Sequence, residues 1–171
     1  QNADYLLELI NQLLDFRKLD AKAETLKCKH DNILIILSEI FHSFDPIAQK
    51  RNIGYSFTSP QHSVFMDFDY DKIRKICTNI LSNAFKFTPN KGSISLDIAI
   101  KGKNLELTFT DTGCGIEDES KEKIFQRFYQ SGKNQSSNGG SGIGLHIVSE
   151  YVKMHQGTAC VKDNQPCGSV F

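Results

Sequence analysis

The strongest constraint on this 171-residue chain is a change in hydrophobic period halfway along it. Ile73, Ile76, Cys77, Ile80, Leu81 and Ala84 recur every three or four residues, the spacing of one helical face. Past Pro89 the period falls to two. Ser93 to Ile100 alternates, Gly102, Lys103 and Asn104 make a turn, and Leu105 to Thr110 alternates again, which predicts a β-hairpin. Each element leaves an apolar face to be covered, and helices packed on a sheet as layers cover both. Asp69 is placed to cap the helix and Asp71 sits in its first turn, where a negative charge is favourable.

The flanking sequence adds pieces of both kinds without strict alternation. Leu6, Leu9, Leu13 and Phe16, with Leu7, Ile10 and Leu14, predict an amphipathic arm ending near residue 20. Thr25 to His30 reads as a short strand, and Asn32 caps a helix carrying Ile33, Leu37, Ile40, Phe41 and Phe44, which Pro46 either kinks or restarts. Ile53 to Phe57 and Ser63 to Met66 are short strands. Ser120 opens a short helix through Ile124, Phe125 and Phe128, whose phenylalanines are expected to pack on the core. Gly142 or Gly144 starts a helix with Leu145, Ile147, Val148, Val152 and Met154, and strands follow at Thr158 to Val161 and Ser169 to Phe171. The expected class is α+β: a two-layer α/β sandwich with a mixed sheet, helices on one face, and an N-terminal helical arm.

Several functions are set aside. Twenty basic and twenty acidic side chains cancel, so no global field draws the chain to nucleic acid or anionic lipid. The longest aliphatic run, Ile33 to Leu37, is far short of the roughly twenty residues of a membrane span. Five cysteines form no C-x-x-C pair, and five histidines make no H-E-x-x-H, which argues against a disulfide framework or zinc site. Asp67, Asp69 and Asp71 start like a calcium loop, but Lys72 and Thr78 stand where its glycine and glutamate belong.

Four clusters carry chemistry. Asn79 and Asn83 share a helical face with Lys86, offering either a seat for hydrated magnesium and phosphate oxygens or merely a polar surface. Asp111-Thr112-Gly113-Cys114-Gly115-Ile116 ends a strand; an acceptor-only carboxylate there can take an amine hydrogen of adenine beside backbone left open by glycine, though a tight turn would use the same residues. Ile124-Phe125-Gln126-Arg127-Phe128-Tyr129 offers an arginine to phosphate. Gly139-Gly140-Ser141-Gly142-Ile143-Gly144-Leu145 precedes a helix, and its bare amides suit a polyphosphate. Neither a Walker A loop nor a G-x-G-x-x-G fingerprint occurs.

In this order the clusters resemble the N box, first glycine box, F box and second glycine box of the ATP-binding domain of sensor histidine kinases, in the superfamily shared with DNA gyrase, heat-shock chaperones and mismatch-repair ATPases. Asn79 to Thr88 looks like the N box, and Gly168-Ser169-Val170-Phe171 like the start of a last glycine box. The resemblance covers about residues 25 to 171. It implies that Asn83 binds magnesium, Asn79 and Lys86 lie near the phosphates, and Phe87 lies beside the nucleotide. It further implies that Asp111 accepts from the adenine amine in a pocket shaped by Gly113, Gly115 and Ile116, with Ser169 adjoining. Arg127 approaches the terminal phosphate beside Phe128; Gly140, Ser141, Gly142, Ile143, Gly144 and Leu145 wrap the phosphates, and residues 131–141 form a lid. Asn83, Lys86 and Arg127 are the expected catalytic residues.

The resemblance also divides the chain: residues 1–22 resemble the end of a dimerisation and phosphotransfer hairpin, and residues 23–171 the catalytic domain. No histidine stands in the phosphoacceptor motif, so the acceptor is expected upstream of Gln1. Implied partners are ATP with magnesium, the acceptor hairpin, and a response regulator receiver domain downstream, with no nucleic acid. The parent is expected to be a homodimer and this segment a monomer, in the cytoplasm whether or not the parent is membrane-anchored. Hydrolysing members of the superfamily carry glutamate four residues before the metal-binding asparagine. Asn79 stands there instead, so transfer to histidine is favoured over hydrolysis. The alternative is a nucleotide-sensing or interaction module of the same fold without transferase activity.

Overall fold

A computed structural model describes residues 10, 13–15, 17–21, 24–130 and 141–171. Strands β2 (Gly54–Thr58), β4 (Ser93–Lys101), β5 (Asn104–Asp111), β7 (Ser169–Val170) and β6 (Lys162–Asp163) form a sheet in the order β2-β4-β5-β7-β6. The β2–β4 pair is parallel and the rest are antiparallel, so the sheet is mixed. Helices α1 (Ile33–His42), α3 (Tyr70–Phe87) and α5 (Gly144–Met154) share one core with Ile94, Leu96, Ile98 and Phe109 of the sheet. This is the α+β sandwich expected, with α3 as its spine.

All six residues of the α3 stripe, Ile73 to Ala84, are buried. Asp69 caps the helix by accepting from the Lys72 N–H at 3.1 Å, which satisfies one of the orphan donors of its first turn. Asn32 caps α1 and also accepts from the Val64 N–H at 2.9 Å. That ties α1 to the small ladder of β1 (Lys29–Asn32) and β3 (Phe65–Phe68). Pro46 begins a separate helix, α2 (Asp45–Arg51), rather than kinking α1.

Several boundaries move from the sequence reading. The first strand starts at Lys29, four residues after Thr25, and the strand expected at Thr158 to Val161 forms at Lys162–Asp163. The helix expected from Ser120 through Phe128 is a single turn, α4 (Asp118–Lys121), followed by turns. Phe128 does not reach the core. It is 59% exposed and left-handed, with φ 59°, a conformation no helix continues through. Phe125 is half-buried and meets Phe171 edge-on.

Of the arm, residues 10, 13–15 and 17–20 are helical and residue 21 is a turn, in line with an end near residue 20; the other arm positions lie outside the described residues. Two of its acidic side chains, and one just beyond, pair with cations of the sandwich: Asp15 with Lys75 at 2.6 Å, Asp20 with Arg127 at 2.7 Å and Glu24 with Lys72 at 3.0 Å. Lys72 is only 6% exposed. Its ammonium reaches Glu24, Asp69 and the Thr25 carbonyl and lies over the Tyr151 ring. Burial opposes the Lys72 charge, but Glu24 and Asp69 outweigh it and raise its pKa. Burial likewise opposes ionisation of Asp69, yet the Lys27 and Lys72 N–H groups and the Lys72 ammonium bring its pKa below the ordinary value.

Candidate functional site

The exposed side of α3 is lined with polar groups where its buried side is aliphatic. Asn79, Asn83 and Lys86 are half-buried and Phe87 is exposed at the helix end. Asn79 and Phe87 lie about 12 Å apart along the axis. A different glycine segment meets α3 at each end of this row.

At the Asn79 end lies the start of α5. A Cβ on Gly144 would sit 2.6 Å from Asn79 Oδ1, so a larger residue there would push the Asn79 carboxamide aside. The Asn79 amide donates to the Lys75 carbonyl at 2.7 Å, which fixes its orientation. The helix begins at Gly144, the later of the two glycines considered. Gly142 is left-handed (φ 68°), and a Cβ there would meet the Phe128 backbone at 2.8 Å. The Phe128 N–H donates to the Gly142 carbonyl at 3.0 Å, so the loop after α4 is fastened to the loop before α5. Ser141 Oγ accepts from the Ile143 N–H at 3.2 Å, Ile143 is buried and Leu145 packs against the core. Gly140 and the rest of the expected lid up to residue 140 lie outside the described residues.

At the Phe87 end lies the turn after β5. A Cβ on Gly113 would come within 2.9 Å of the Phe87 carbonyl oxygen and 2.8 Å of Asp111 Oδ1. Asp111 is 5% exposed. Its Oδ1 accepts from the Gly113 N–H at 2.8 Å and the Ser169 N–H at 3.3 Å, while Oδ2 accepts from no described residue. Burial raises the Asp111 pKa, and those two amides only partly offset it. Gly115 is left-handed (φ 73°) and a Cβ there would stand 3.4 Å from the Gly168 carbonyl oxygen. Ile116 is half-buried beside it.

Asn83 and Lys86 stand between these ends. The Asn83 carboxamide has no hydrogen-bond partner among the described residues, and Lys86 Nζ lies 5.1 Å from the Phe87 ring centre. No group of three or more His, Cys, Asp or Glu side chains among the described residues could hold a metal ion. One or two neutral carboxamide oxygens suit magnesium only if water and phosphate complete its shell. The Arg127 guanidinium donates to Asp20 of the arm.

Sequence reasoning missed the supports around Asp111. Asn164 Nδ2 donates to the Asp111 carbonyl at 2.9 Å, Cys167 Sγ to the Gly113 carbonyl at 2.9 Å, and Thr112 Oγ1 accepts from the Ser93 N–H at 2.8 Å. The first two partners lie more than fifty residues from Asp111 and Gly113 along the chain, so no local spacing announces them.

Residues 68–171 match the family described as histidine kinase-, DNA gyrase B-, and HSP90-like ATPase, a span that holds every element of the row and both glycine segments. The chain belongs to this ATPase family. Among relatives, Histidine kinase P4 of Formosa agariphila is 37% identical over 174 residues, 99% of this chain and 13% of that protein. Sensor histidine kinase WalK of Bacillus subtilis is 31% identical over 155 residues, 89% of this chain and 25% of that protein. This chain therefore spans a quarter or less of these two kinases. Full-length ShkA, solved in complex with AMPPNP, superimposes with a TM-score of 0.84 at 29% identity over 99% of this chain and 35% of that one. ThkA in complex with response regulator protein TrrA shares the fold, with a TM-score of 0.76 at 21% identity over 97% of this chain and 47% of that one. The ATPase-family sandwich thus accounts for the mixed sheet and for α3 as its spine. No described helix is long and apolar enough to cross a membrane.

Proposed function

We propose that this segment binds ATP with magnesium and transfers the γ-phosphoryl group to a histidine on a hairpin of its parent, as the catalytic domain of a two-component sensor histidine kinase. Residues 23–171 form that domain, and residues 1–22 end the hairpin helix. The observation that carries the reading is the pair of close approaches along α3, Gly144 on Asn79 and Gly113 on Phe87. They frame one helical face with an adenine-type acceptor at one end and a phosphate-type helix start at the other.

The roles follow from the chemistry of each group. Asp111, with Oδ1 held by two amides, keeps Oδ2 for the exocyclic amine of the base. Gly113 and Gly115 let the backbone approach the ring, with Ile116 against it and Ser169 holding the carboxylate. Phe87 lies beside the nucleoside and Lys86 beside the phosphates. The α5 start at Gly144 and Leu145 gives a positive dipole end to the triphosphate, and the run Gly140, Ser141, Gly142 and Ile143 before it gives amides. Asn79 and Asn83 face the same phosphates, and Asn83 contributes a hard oxygen to magnesium. When bound, that ion would neutralise charge on the phosphate oxygens. Arg127 joins the terminal phosphate once it leaves Asp20, next to Phe128.

Transfer needs an attacking imidazole nitrogen in line with the γ-phosphorus while ADP leaves, and it needs no base for water. Asn79 provides none, which suits phosphoryl transfer better than hydrolysis. The phosphate then passes to the receiver domain of a response regulator, as the pairing of ThkA with TrrA suggests. The parent works as a homodimer in the cytoplasm, and this segment alone is a monomer. Mixing the segment with the parent's hairpin, ATP and magnesium tests the reading: phosphohistidine should form on the hairpin. Tight ATP binding with no phosphohistidine would instead establish a sensing module.

A further inference from the structure

Helix α3 ends against a proline. The Phe85 carbonyl would ordinarily accept from the N–H four residues on, but that residue is Pro89, which has none. Arg51, the last residue of α2, fills the gap. Its Nη1 donates to the Phe85 carbonyl oxygen, Nη2 to the Thr88 carbonyl oxygen, and Nε to Asn90 Oδ1 at 2.9 Å. The Lys91 N–H returns to the Arg51 carbonyl at 3.1 Å, and Gly54 and Gly92 join the same two loops at 2.8 Å. A guanidinium is the only side chain with enough donors in one plane to make these three bonds together. Its charge also suits the negative end of the helix.

We infer that Arg51 is a positioning residue for the nucleotide site: its fork replaces the amide that Pro89 lacks and sets the last turn of α3, which carries Lys86 and Phe87. The inference rests on the ATP-binding role proposed above. The link onward is short, because the Phe87 carbonyl lies against Gly113, and the Gly113 N–H holds Asp111. Loosening the last turn moves the Phe87 carbonyl, the Gly113 turn and the carboxylate as one unit. The base end of the site therefore depends on a residue of α2, a helix that contributes no other group to it.

The test compares the unchanged chain with Arg51→Lys, Arg51→Ala and the double variant Arg51→Ala/Pro89→Ala, by calorimetric titration with ATP and with adenosine at a temperature where each is folded. Arg51→Lys keeps charge and stem but cannot fork, and it serves if the alanine variant does not fold. Both single variants should bind ATP and adenosine about five- to twentyfold more weakly, by the same factor for both ligands, as expected for loss of charge-assisted bonds at the base end. Thr88 is extended (φ −80°, ψ 129°), as a residue before proline prefers; Pro89→Ala lifts that restriction, so the helix can run one residue further, bring an N–H to the Phe85 carbonyl and regain most of the affinity. If the single variants melt earlier but bind as tightly as the unchanged chain, Arg51 is only a structural tie and the inference fails. It fails equally if the double variant binds no better than Arg51→Ala. If the unchanged chain binds no ATP, the proposed function falls and takes this inference with it.

Discussion

Arg127 Nη1 donates to Asp20 Oδ1 at 2.7 Å, across 107 residues of sequence. The same guanidinium is the group proposed to meet the terminal phosphate, so the arm and the nucleotide compete for it. Both side chains are about half exposed, and an exposed pair contributes roughly 0.2 to 1 kcal/mol. Asp20→Asn should therefore tighten ATP binding by no more than about fivefold. The gain should shrink as salt rises and the pair is screened. Titrations of both proteins at low and high ionic strength check this, and a weaker-binding variant would mean that Asp20 helps to place Arg127.

Asp111→Asn should weaken ATP binding by about tenfold or more, since a carboxamide can turn a donor toward the adenine amine and leave both unsatisfied. The same change should narrow the preference for ATP over GTP, whose base presents a carbonyl at that position. Competition titrations with the two nucleotides give the ratio directly.

Acid should act through the same carboxylate. Burial holds its pKa above the ordinary carboxylate value, so its proton arrives earlier on acidification than on an exposed aspartate, and the acceptor is lost once protonated. ATP affinity should fall as pH drops below neutral toward that raised value, and the fall should be absent in Asp111→Asn. A pH series of dissociation constants for both proteins decides it.

Asn83→Ala should lower affinity for ATP in the presence of magnesium far more than in its absence. Equal losses under both conditions would remove Asn83 from the metal.

The Lys72 cluster gives a stability prediction of definite sign. The lowered pKa of Asp69 in the folded state contributes stability that is present above its unfolded pKa and lost as pH falls through the folded one. Asp69→Asn leaves the Lys72 ammonium buried with Glu24 alone and weakens the α3 cap. It should lower stability by about 3 kcal/mol near neutral pH. The gap from the unchanged protein should close on acidification below about pH 4. Urea midpoints at neutral and acid pH measure both.

Local periodicity made most of the sandwich legible. The α3 stripe and the alternation of β4 and β5 lie within single elements, and each side chain's face follows from spacing alone. The short strands and α4 were less legible because long-range pairing sets them: β6 exists only where Lys162 and Asp163 meet β7. Phe128 looked helical, but its backbone is left-handed and its N–H goes to the Gly142 carbonyl, a partner in a different segment. At the site, Asn79, Asp111, Gly113 and Gly144 were visible as residue types. The pairing of Arg127 with Asp20 and the grip of Arg51 on α3 were not, since both partners are distant in sequence and neither pair obeys a spacing rule.

Gly168 has φ 121°, and a Cβ there would fall 1.9 Å from the Asp111 carbonyl oxygen, so the final strand can seat beside β5 only with glycine at that point. The Ser169 N–H that steadies the Asp111 carboxylate arrives with that strand. The base recognition proposed above thus leans on a backbone amide that one glycine lets into place. A side chain at residue 168 would therefore reach the proposed base end of the site through the backbone alone, while leaving Asn79, Asn83 and Lys86 of α3 untouched.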